Sequence, residues 1–288
     1  MKKLLFQLDT DAYPSVFDTV VGYDSGADHV IGHANVTPLN VTPLVEGAIF
    51  TRAPKEKRNT AIFVGGSDLR SGQDLLSAIT KQFFANFRVS VMLDSNGSNT
   101  TAAAGVATLA VNSSLKGKKA VVLAGTGPVG QRAAVMLSNE GAKVSITSRS
   151  MDRAISACKA MHDQFGVELK PLEAIENQQR ADTITDADIV FASGASGINL
   201  LDEQDWADLP QIEMLVDANA TPMLGISGIE MMDRGVERHG KMCWGAIGFG
   251  VFKLALHRAC IESLFETNDL ILDAEQIYAK AIKMAKIV

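Results

Sequence analysis

The sequence predicts an α/β fold made of two α/β domains, because three of its features are typical of that class. Its 288 residues are enough for two cores of ordinary size. Short apolar runs alternate with helix-length segments rather than with hairpin turns, as in sheets whose strands run parallel. Residues 120–124 are apolar throughout, and such a run suits a strand that is covered on both faces.

The first α/β block fills about the first hundred residues. Apolar runs at 3–8, 61–64 and 89–93 predict its strands, and Gly, Asp or Ser follows most of them. A helix is expected from Pro14 onward, because proline suits the first turn of a helix. A second helix is expected near 68–84.

The second α/β block begins near residue 118 and repeats the alternation of strand and helix. Helices are expected near 128–140 and 151–165, between its early strands. The strands themselves are predicted from apolar runs at 119–124, 143–147, 189–192 and 214–217.

Two long apolar helices, near 99–113 and 250–266, flank the second block, so the chain is expected to leave the first domain by one and return by the other. Residues 273–287 begin with Asp and carry apolar residues at helical spacing, which predicts a last helix packed on the first domain. The expected domains are therefore 1–100 plus 250–288, and 101–249.

Composition excludes several classes of function. The net charge of −6 argues against nucleic acid or an anionic membrane as partner. No apolar stretch reaches the roughly 18 residues of a membrane span, and Asp9 closes the N-terminal apolar run too early for a signal peptide. Three cysteines without C-x-x-C spacing and five scattered histidines predict neither disulfide nor metal, and favour a reducing cytoplasm.

A glycine-rich turn joins the strand at 119–124 to the helix at 128–140. The spacing G-x-G-x-x-G in this context predicts a dinucleotide-binding turn of a Rossmann-type parallel sheet, the alternative being a plain structural turn. The first glycine permits the sharp turn, the second leaves room for the pyrophosphate and the third lets the helix pack closely. Free N–H groups at the helix start hold the diphosphate. The turn consists of Gly125, Thr126, Gly127, Pro128, Val129 and Gly130.

The segment after the next strand selects the cofactor. An enzyme that uses NAD usually has Asp or Glu there, to bond the ribose hydroxyls. This chain has Ser148, Arg149 and Ser150, with Arg153 one helical turn beyond. Arginine pairs bidentately with a phosphate, so the sequence predicts NADP. The alternative is that Arg149 is a solvated loop residue.

Small or polar residues follow later strands, where the nicotinamide half of a dinucleotide commonly lies. Ser193 and Gly194 follow one strand, Asn219 follows another, and Ile247 lies beyond a third. Their positions fit close approach of a ligand, and fit tight turns equally well.

Three polar groups outside the turn suggest chemistry. Residues 94–101 supply more helix-capping side chains than one helix needs, and the surplus suggests ligand contacts. Lys253 and His257 share one face of an apolar helix, where the lysine would orient a substrate, unless it simply reaches solvent. Phe17 and Asp18 fit stacking and hydrogen bonding to a polar ring, although an ordinary amphipathic helix explains them better.

Several stretches together carry a resemblance that spans the whole chain. They include MLDSNGSNTTAAA at 92–104, which is the most specific, GKKAVVLAGTGPVG at 117–130, and KKLLFQ at 2–7. The segments 14–18 and 256–261 continue it. In these stretches the chain resembles the bacterial methylene-tetrahydromethanopterin/methylene-tetrahydrofolate dehydrogenases of methylotrophs.

The resemblance implies oxidation of a methylene-tetrahydropterin at its one-carbon bridge, with NADP as hydride acceptor and a methenyl cation as product. It also implies that the cofactor domain is inserted between an N-terminal substrate domain and its C-terminal helices, with a cleft between. The cation is resonance-stabilised, which agrees with the lack of a recognisable general base. Residues near the pterin in such enzymes match Phe17, Asp18, Thr101, Lys253 and His257.

Alternative functions remain at this point. One is a shikimate-dehydrogenase-like enzyme, in which Asp94 and Lys253 would contact an alcohol. Others are a non-catalytic NADP-sensing module and a bifunctional dehydrogenase–cyclohydrolase. Tetrahydromethanopterin and tetrahydrofolate share the reacting imidazolidine ring, so the sequence does not choose between them. We expect the protein to be a cytoplasmic homo-oligomer.

Overall fold

A computed structural model describes residues 1–286 of the chain. The strands are β1 (Leu4–Asp9), β2 (His29–His33), β3 (Thr60–Gly65), β4 (Ser90–Leu93), β5 (Lys119–Leu123), β6 (Lys143–Ser148), β7 (Lys170–Glu173), β8 (Ile189–Ala192), β9 (Met214–Asp217), β10 (Arg234–Arg238), β11 (Lys241–Trp244) and β12 (Ile271–Leu272). The helices are α1 (Val16–Asp24), α2 (Thr42–Phe50), α3 (Leu69–Thr80), α4 (Ser98–Asn112), α5 (Pro128–Asn139), α6 (Met151–Phe165), α7 (Asn177–Ile184), α8 (Ala246–Ser263) and α9 (Ala274–Ala285).

The chain divides into two compact units. The first contains Met1–Thr100 and Leu254–Lys280, and the second contains Thr101–Lys253 and, of the described residues after Lys280, 281–286. Two bounds differ from the sequence expectation of 1–100 plus 250–288. The return crossing lies four residues later along α8, after Lys253 rather than after residue 249. The end of α9 joins the second unit, because Ala285 packs beside residues of that unit. Ile287, the expected end of this helix, lies outside the described residues.

The first unit is built on a parallel sheet of order β12-β4-β3-β1-β2. Strands β3 and β4 are buried along their whole length, as their continuous apolar sequences predict. Apolar residues of α2 and α3 pack on this sheet and form a core with Leu8 and Ile62. Because the strands are parallel, β1, β3 and β4 end at one edge, where Asp9, Gly65 and Asp94 lie.

The second unit is built on a seven-stranded sheet of order β10-β11-β9-β8-β5-β6-β7. All its strands are parallel except β10, which pairs antiparallel with β11 at one edge. From β7 to β11 this is the strand order of the dinucleotide-binding fold, whose ligands lie beyond the carboxyl ends of the two central strands. The predicted Rossmann-type α/β fold is confirmed, and β5 and β8 are those central strands.

Candidate functional site

The glycine turn between β5 and α5 has the geometry that a bound pyrophosphate requires. A Cβ at Gly130 would stand 2.6 Å from the Cα of Gly125 and 2.5 Å from the Oγ of Ser193, so this glycine permits the packing of helix on turn. A Cβ at Gly127 would have no atom within 4 Å. Gly127 precedes α5, and no side chain caps the helix there. The first N–H groups of α5 are thus free for an anion.

A pocket of about 330 Å³ opens beside this turn in the second unit. The predicted residues Ser148, Arg149 and Arg153 all line it, together with Thr126 of the turn and Gly194 beyond β8. No acidic side chain of residues 1–286 lines it. A positively charged pocket of this size at the end of β6 is suited to the phosphate of a nucleotide.

Arg180, on α7, is a third arginine in this pocket, and the sequence did not predict it. Its guanidinium donates hydrogen bonds of 2.8 Å to the carbonyl oxygens of Leu200 and Ile175, and another to the side chain of Asn177. Burial and the neighbouring charge of Arg149 lower the pKa of Arg180. Two arginines that repel each other in this way favour a shared anion.

Of four other residues predicted to bind the cofactor, three have side chains with local partners in the structure. The Oγ of Ser150 accepts from the N–H of Arg153 and so caps α6. The Oγ of Ser193 donates to the carbonyl of Leu123 at 3.0 Å. The side chain of Asn219 bonds within its own loop, to Thr221 and Met223, and Ile247 is 41% exposed. The pocket that contains Arg149, Arg153 and Arg180 is called the arginine pocket. None of the four is among the described residues that line it.

The loop after β9 is held by the carboxylate of Asp217. Its two oxygens accept from the N–H groups of Asn219 at 2.9 Å and of Ile226 at 3.0 Å. Burial raises the pKa of Asp217, while these hydrogen bonds lower it. The loop therefore has a fixed backbone next to the end of β8.

Several side chains of the polar segment 94–101 make local hydrogen bonds, while the buried Ser95 Oγ and Asn99 Oδ1 have no partner among the described residues. The Asp94 carboxylate accepts from the N–H and the Oγ of Thr100, at 3.0 and 2.6 Å. The amide of Asn99 donates to the carbonyl of Leu93 and to Asp273. The Oγ of Ser98 donates within the segment, to Ser95. The surplus of polar residues thus builds the start of α4, which accounts for much of what the sequence attributed to a ligand.

His257 lies at the centre of a compact group in the first unit. It is fully buried, and its ring stacks on Phe63 at a centroid distance of 5.6 Å. The ring of Phe17 stands 6.1 Å away, and the Oδ2 of Asp94 lies 4.0 Å from Nδ1 of the histidine. The structure thus brings Phe17 and His257 together. Phe63 was not singled out from the sequence, because a residue inside a buried strand gives no functional signal. Asp94 was singled out with segment 94–101, but not as a neighbour of His257.

The remaining predicted substrate residues, Asp18, Thr101 and Lys253, lie on α1, α4 and α8. Asp18 is half-buried in the first turn of α1, where its N–H donates to the Oγ of Ser15 at 3.2 Å. Thr101 and Lys253 are half-buried on α4 and α8. Lys253 stands one helical turn before His257. Asp18 thus directly follows Phe17, and Thr101 directly follows Thr100, whose hydroxyl donates to Asp94.

Residues 1–286 contain neither a cluster of metal-binding side chains nor a membrane-spanning helix. No group of three or more His, Cys, Asp or Glu side chains in that range is arranged to hold a metal ion. In the same range no helix has the length and apolar character that a membrane crossing requires.

Comparison with known proteins agrees with this geometry. The family model described as methylene-tetrahydromethanopterin dehydrogenase, N-terminal, matches residues 16–96, and the model for shikimate / quinate 5-dehydrogenase matches residues 107–222. The bifunctional protein MdtA of Methylorubrum extorquens is 54% identical over 286 residues, which cover 99% of both chains. This chain belongs to the methylene-tetrahydromethanopterin dehydrogenase family. The NAD(P)-dependent methylenetetrahydromethanopterin dehydrogenase of the same organism is 29% identical, again over 99% of both chains.

The likeness to solved structures concerns the fold alone. Quinate dehydrogenase from Corynebacterium glutamicum, in complex with NAD, superposes with a TM-score of 0.55 at 14% sequence identity, over 98% of this chain and 99% of that one. The methylene-tetrahydromethanopterin dehydrogenase family therefore shares its two-sheet plan with quinate dehydrogenases. A shared fold does not carry a substrate with it.

Proposed function

We propose that this enzyme oxidises 5,10-methylene-tetrahydromethanopterin to the 5,10-methenyl cation in one-carbon metabolism, with NADP as the oxidant. We propose 5,10-methylene-tetrahydrofolate as a second substrate, because it has the same reacting ring. The observation that carries the proposal is full-length membership of a family in which the relative at 29% identity is named for methylenetetrahydromethanopterin and NAD(P).

The second unit offers the residues that suit NADP. The turn from Gly125 to Gly130 would hold the pyrophosphate on the free N–H groups of α5. Arg149 and Arg153 would pair with the 2′-phosphate, with Arg180 adding a third positive charge. Ser148 and Ser150 would add hydrogen bonds there, while Ser193, Gly194, Asn219 and Ile247 would border the nicotinamide half. When bound, NADP supplies the hydride acceptor.

The first unit and the helices that leave it offer the residues that suit a pterin. Phe17 is 52% exposed, and its ring would stack on a flat heterocycle. Asp18 would accept hydrogen bonds from the pterin amino and ring N–H groups. Lys253 and Thr101 would orient the reacting ring, and His257, held between Phe63 and Asp94, would support its wall. The substrate becomes a stabilised cation without losing a proton, so these residues need to position it and exclude water.

We also propose that the enzyme is a cytoplasmic homo-oligomer. Its three cysteines are all free thiols, which suits a reducing compartment. Several large apolar side chains of α1, Val16 and Val20 among them, are more than half exposed, which suits contact with another subunit. A molar mass of a single chain, measured by light scattering, would contradict the proposed homo-oligomer.

Turnover assays test the function directly. The purified enzyme should reduce NADP in the presence of either methylene-tetrahydropterin, with a higher kcat/KM for NADP than for NAD, and should be inactive with shikimate. The methenyl product should accumulate, because no hydrolysis of the ring is proposed. Turnover of shikimate, or rapid loss of the methenyl absorbance, would instead support the shikimate-type or the cyclohydrolase alternative.

The variant Lys253→Ala separates an enzyme from a sensing module. Loss of a group that orients the reacting ring should lower kcat about tenfold to a hundredfold, while the Kd for NADP stays within about twofold. Lys55→Ala, at an exposed position of the first unit, is the matched control. Cofactor binding without any pterin-dependent turnover in the unmodified enzyme would contradict the proposed function.

A further inference from the structure

A second pocket, of about 340 Å³, lies at the other end of the second unit's sheet. It is formed where β10 and β11 meet α4, α8 and the end of α9, whereas the arginine pocket adjoins β5 and β6. The two pockets share no lining residue. Three of the ten residues that line the second one are aromatic: Trp244, Phe249 and Phe252.

A β-bulge at Gly235 shapes this pocket. The register of β10 against β11 shifts between Arg234 and Val236, and Gly235 has a φ of +68°, in the left-handed region. A Cβ there would stand 3.4 Å from the Nε1 of Trp244. The bulge thus leaves the indole nitrogen uncovered on the pocket side. Bulges are frequent beside binding sites, where they redirect side chains.

The indole N–H of Trp244 is the first sign that the pocket accepts a ligand. Trp244 is only 2% exposed, yet its N–H donates to no acceptor within residues 1–286. The other tryptophan, Trp206, behaves in the usual way and donates to the carbonyl of Ser227 at 2.9 Å. The indole nitrogen is not among the enclosed unpartnered atoms and so faces the pocket, where a ligand oxygen would accept the hydrogen bond that water otherwise accepts.

Charge supplies the second sign. Arg234 lines the pocket, is exposed, and has no acidic or hydrogen-bonding partner for its side chain in the described part of the chain. On the same strand, Arg238 pairs with Asp233 at 2.6 Å and with Glu230 at 3.2 Å. No carboxylate of the described residues lines the pocket. The pocket therefore combines an aromatic interior with an unneutralised guanidinium.

We propose that this pocket binds a planar aromatic carboxylate, as a site separate from those of cofactor and pterin. The ring would lie among Trp244, Phe249 and Phe252, and the carboxylate would pair with Arg234 and accept from the indole N–H. Helix α8, which supplies both phenylalanines, continues directly to Lys253 and His257. An occupant of the pocket would thus touch the helix that carries two of the proposed substrate residues.

Indole N–H resonances of the ¹⁵N-labelled protein test the proposal with indole-3-acetate as probe. The chain has two tryptophans, so Trp206 serves as an internal control and Trp244→Phe assigns the second signal. The Trp244 resonance should shift saturably while that of Trp206 stays in place. Arg234→Gln should weaken the affinity about tenfold, the usual effect of losing a charge-assisted hydrogen bond. Arg70→Gln, at an exposed arginine of the first unit, should leave it unchanged.

The neutral analogue indole-3-acetamide separates charge recognition from simple apolar binding. It should bind about tenfold more weakly than the acetate and equally to the unmodified protein and Arg234→Gln. Equal affinity for the two probes, or a Trp244 resonance that does not respond to indole-3-acetate, would overturn the proposal. A resonance that moves with protein concentration instead would assign the face to contact with a second copy, and would overturn it as well.

Discussion

Gly127 and Gly130 stand three residues apart in one turn, yet a methyl group at each would meet different surroundings. Gly127 has a φ of −78°, which any residue adopts, and open space where its Cβ would be. Gly130 has the backbone of Gly125 at 2.6 Å from that position. The first glycine is thus needed only when a dinucleotide is bound, whereas the second is needed for the fold itself.

We therefore expect opposite outcomes when Gly127 and Gly130 are each replaced by alanine. Gly127→Ala should leave the melting temperature of the free protein unchanged. It should lower the affinity for NADP at least about tenfold, because the methyl group occupies the space of the pyrophosphate. Gly130→Ala should lower the melting temperature by about 5 °C or more through overpacking against backbone. Calorimetry with and without NADP measures both effects. Normal NADP affinity in Gly127→Ala would show that the dinucleotide does not lie on this turn.

For single residues, the sequence was informative where the residue type suited a ligand and the position directly after a strand placed the residue at the site. Arg149 follows a buried strand and carries the only kind of charge that suits a phosphate, so its place in the pocket could be predicted. The segment 94–101 was harder to interpret, because Ser, Asn and Asp serve helix caps and ligands alike. The closeness of Asp94 and His257 depends on how β4 and α8 pack, which no local pattern contains.

At the scale of elements, the buried strands could be predicted and the exposed ones could not. Strands β3, β5 and β8 are continuous apolar runs. The edge strands β7 and β10 are partly exposed, and their sequences KPLE and RGVER contain charged residues and lack such a run. Helix α7 was missed for the same reason, since NQQRADTI has almost no apolar periodicity. Arg180 was missed with it.

Helix α7 nevertheless completes the proposed phosphate site, and Arg180→Gln tests this. Removing its charge should raise the KM for NADP about tenfold through loss of phosphate attraction. The KM for NAD, which lacks the 2′-phosphate, should change about twofold or less. Arg180→Lys keeps the charge and should recover part of the affinity. Initial-rate kinetics with both cofactors, using Arg149→Gln for comparison, measure the effect.

A purely structural role for Arg180 has a different signature. Its guanidinium also holds the carbonyl groups of Leu200 and Ile175, so the variant disturbs the pocket wall as well. If that were its whole contribution, the KM values for NADP and NAD would rise by the same factor. The ratio of the two KM values, rather than either one alone, therefore decides between the roles.

At the scale of the whole molecule, the chain contains two compact units, and the proposed function assigns one ligand mainly to each. Helices α4 and α8 pass from one unit to the other, at Thr100 and at Lys253. The sequence predicted both crossings to within four residues, because long apolar helices flank the dinucleotide-binding block. The end of α9 groups with the second unit, whereas the sequence expectation grouped 250–288 with the first; an amphipathic pattern indicates a helix and does not name the surface that it covers.

Hydrogen–deuterium exchange with one ligand at a time tests this assignment of ligands to units. A ligand stabilises the segments it contacts, in proportion to its occupancy. NADP alone should slow exchange mainly at 124–131, at 147–153 and around Arg180, all in the second unit. Methylene-tetrahydromethanopterin alone should slow it mainly in α1 and in α8 around Lys253 and His257. Apo protein at the same concentration is the control, and protection of α1 by NADP together with protection of the glycine turn by the pterin would reverse the proposed assignment.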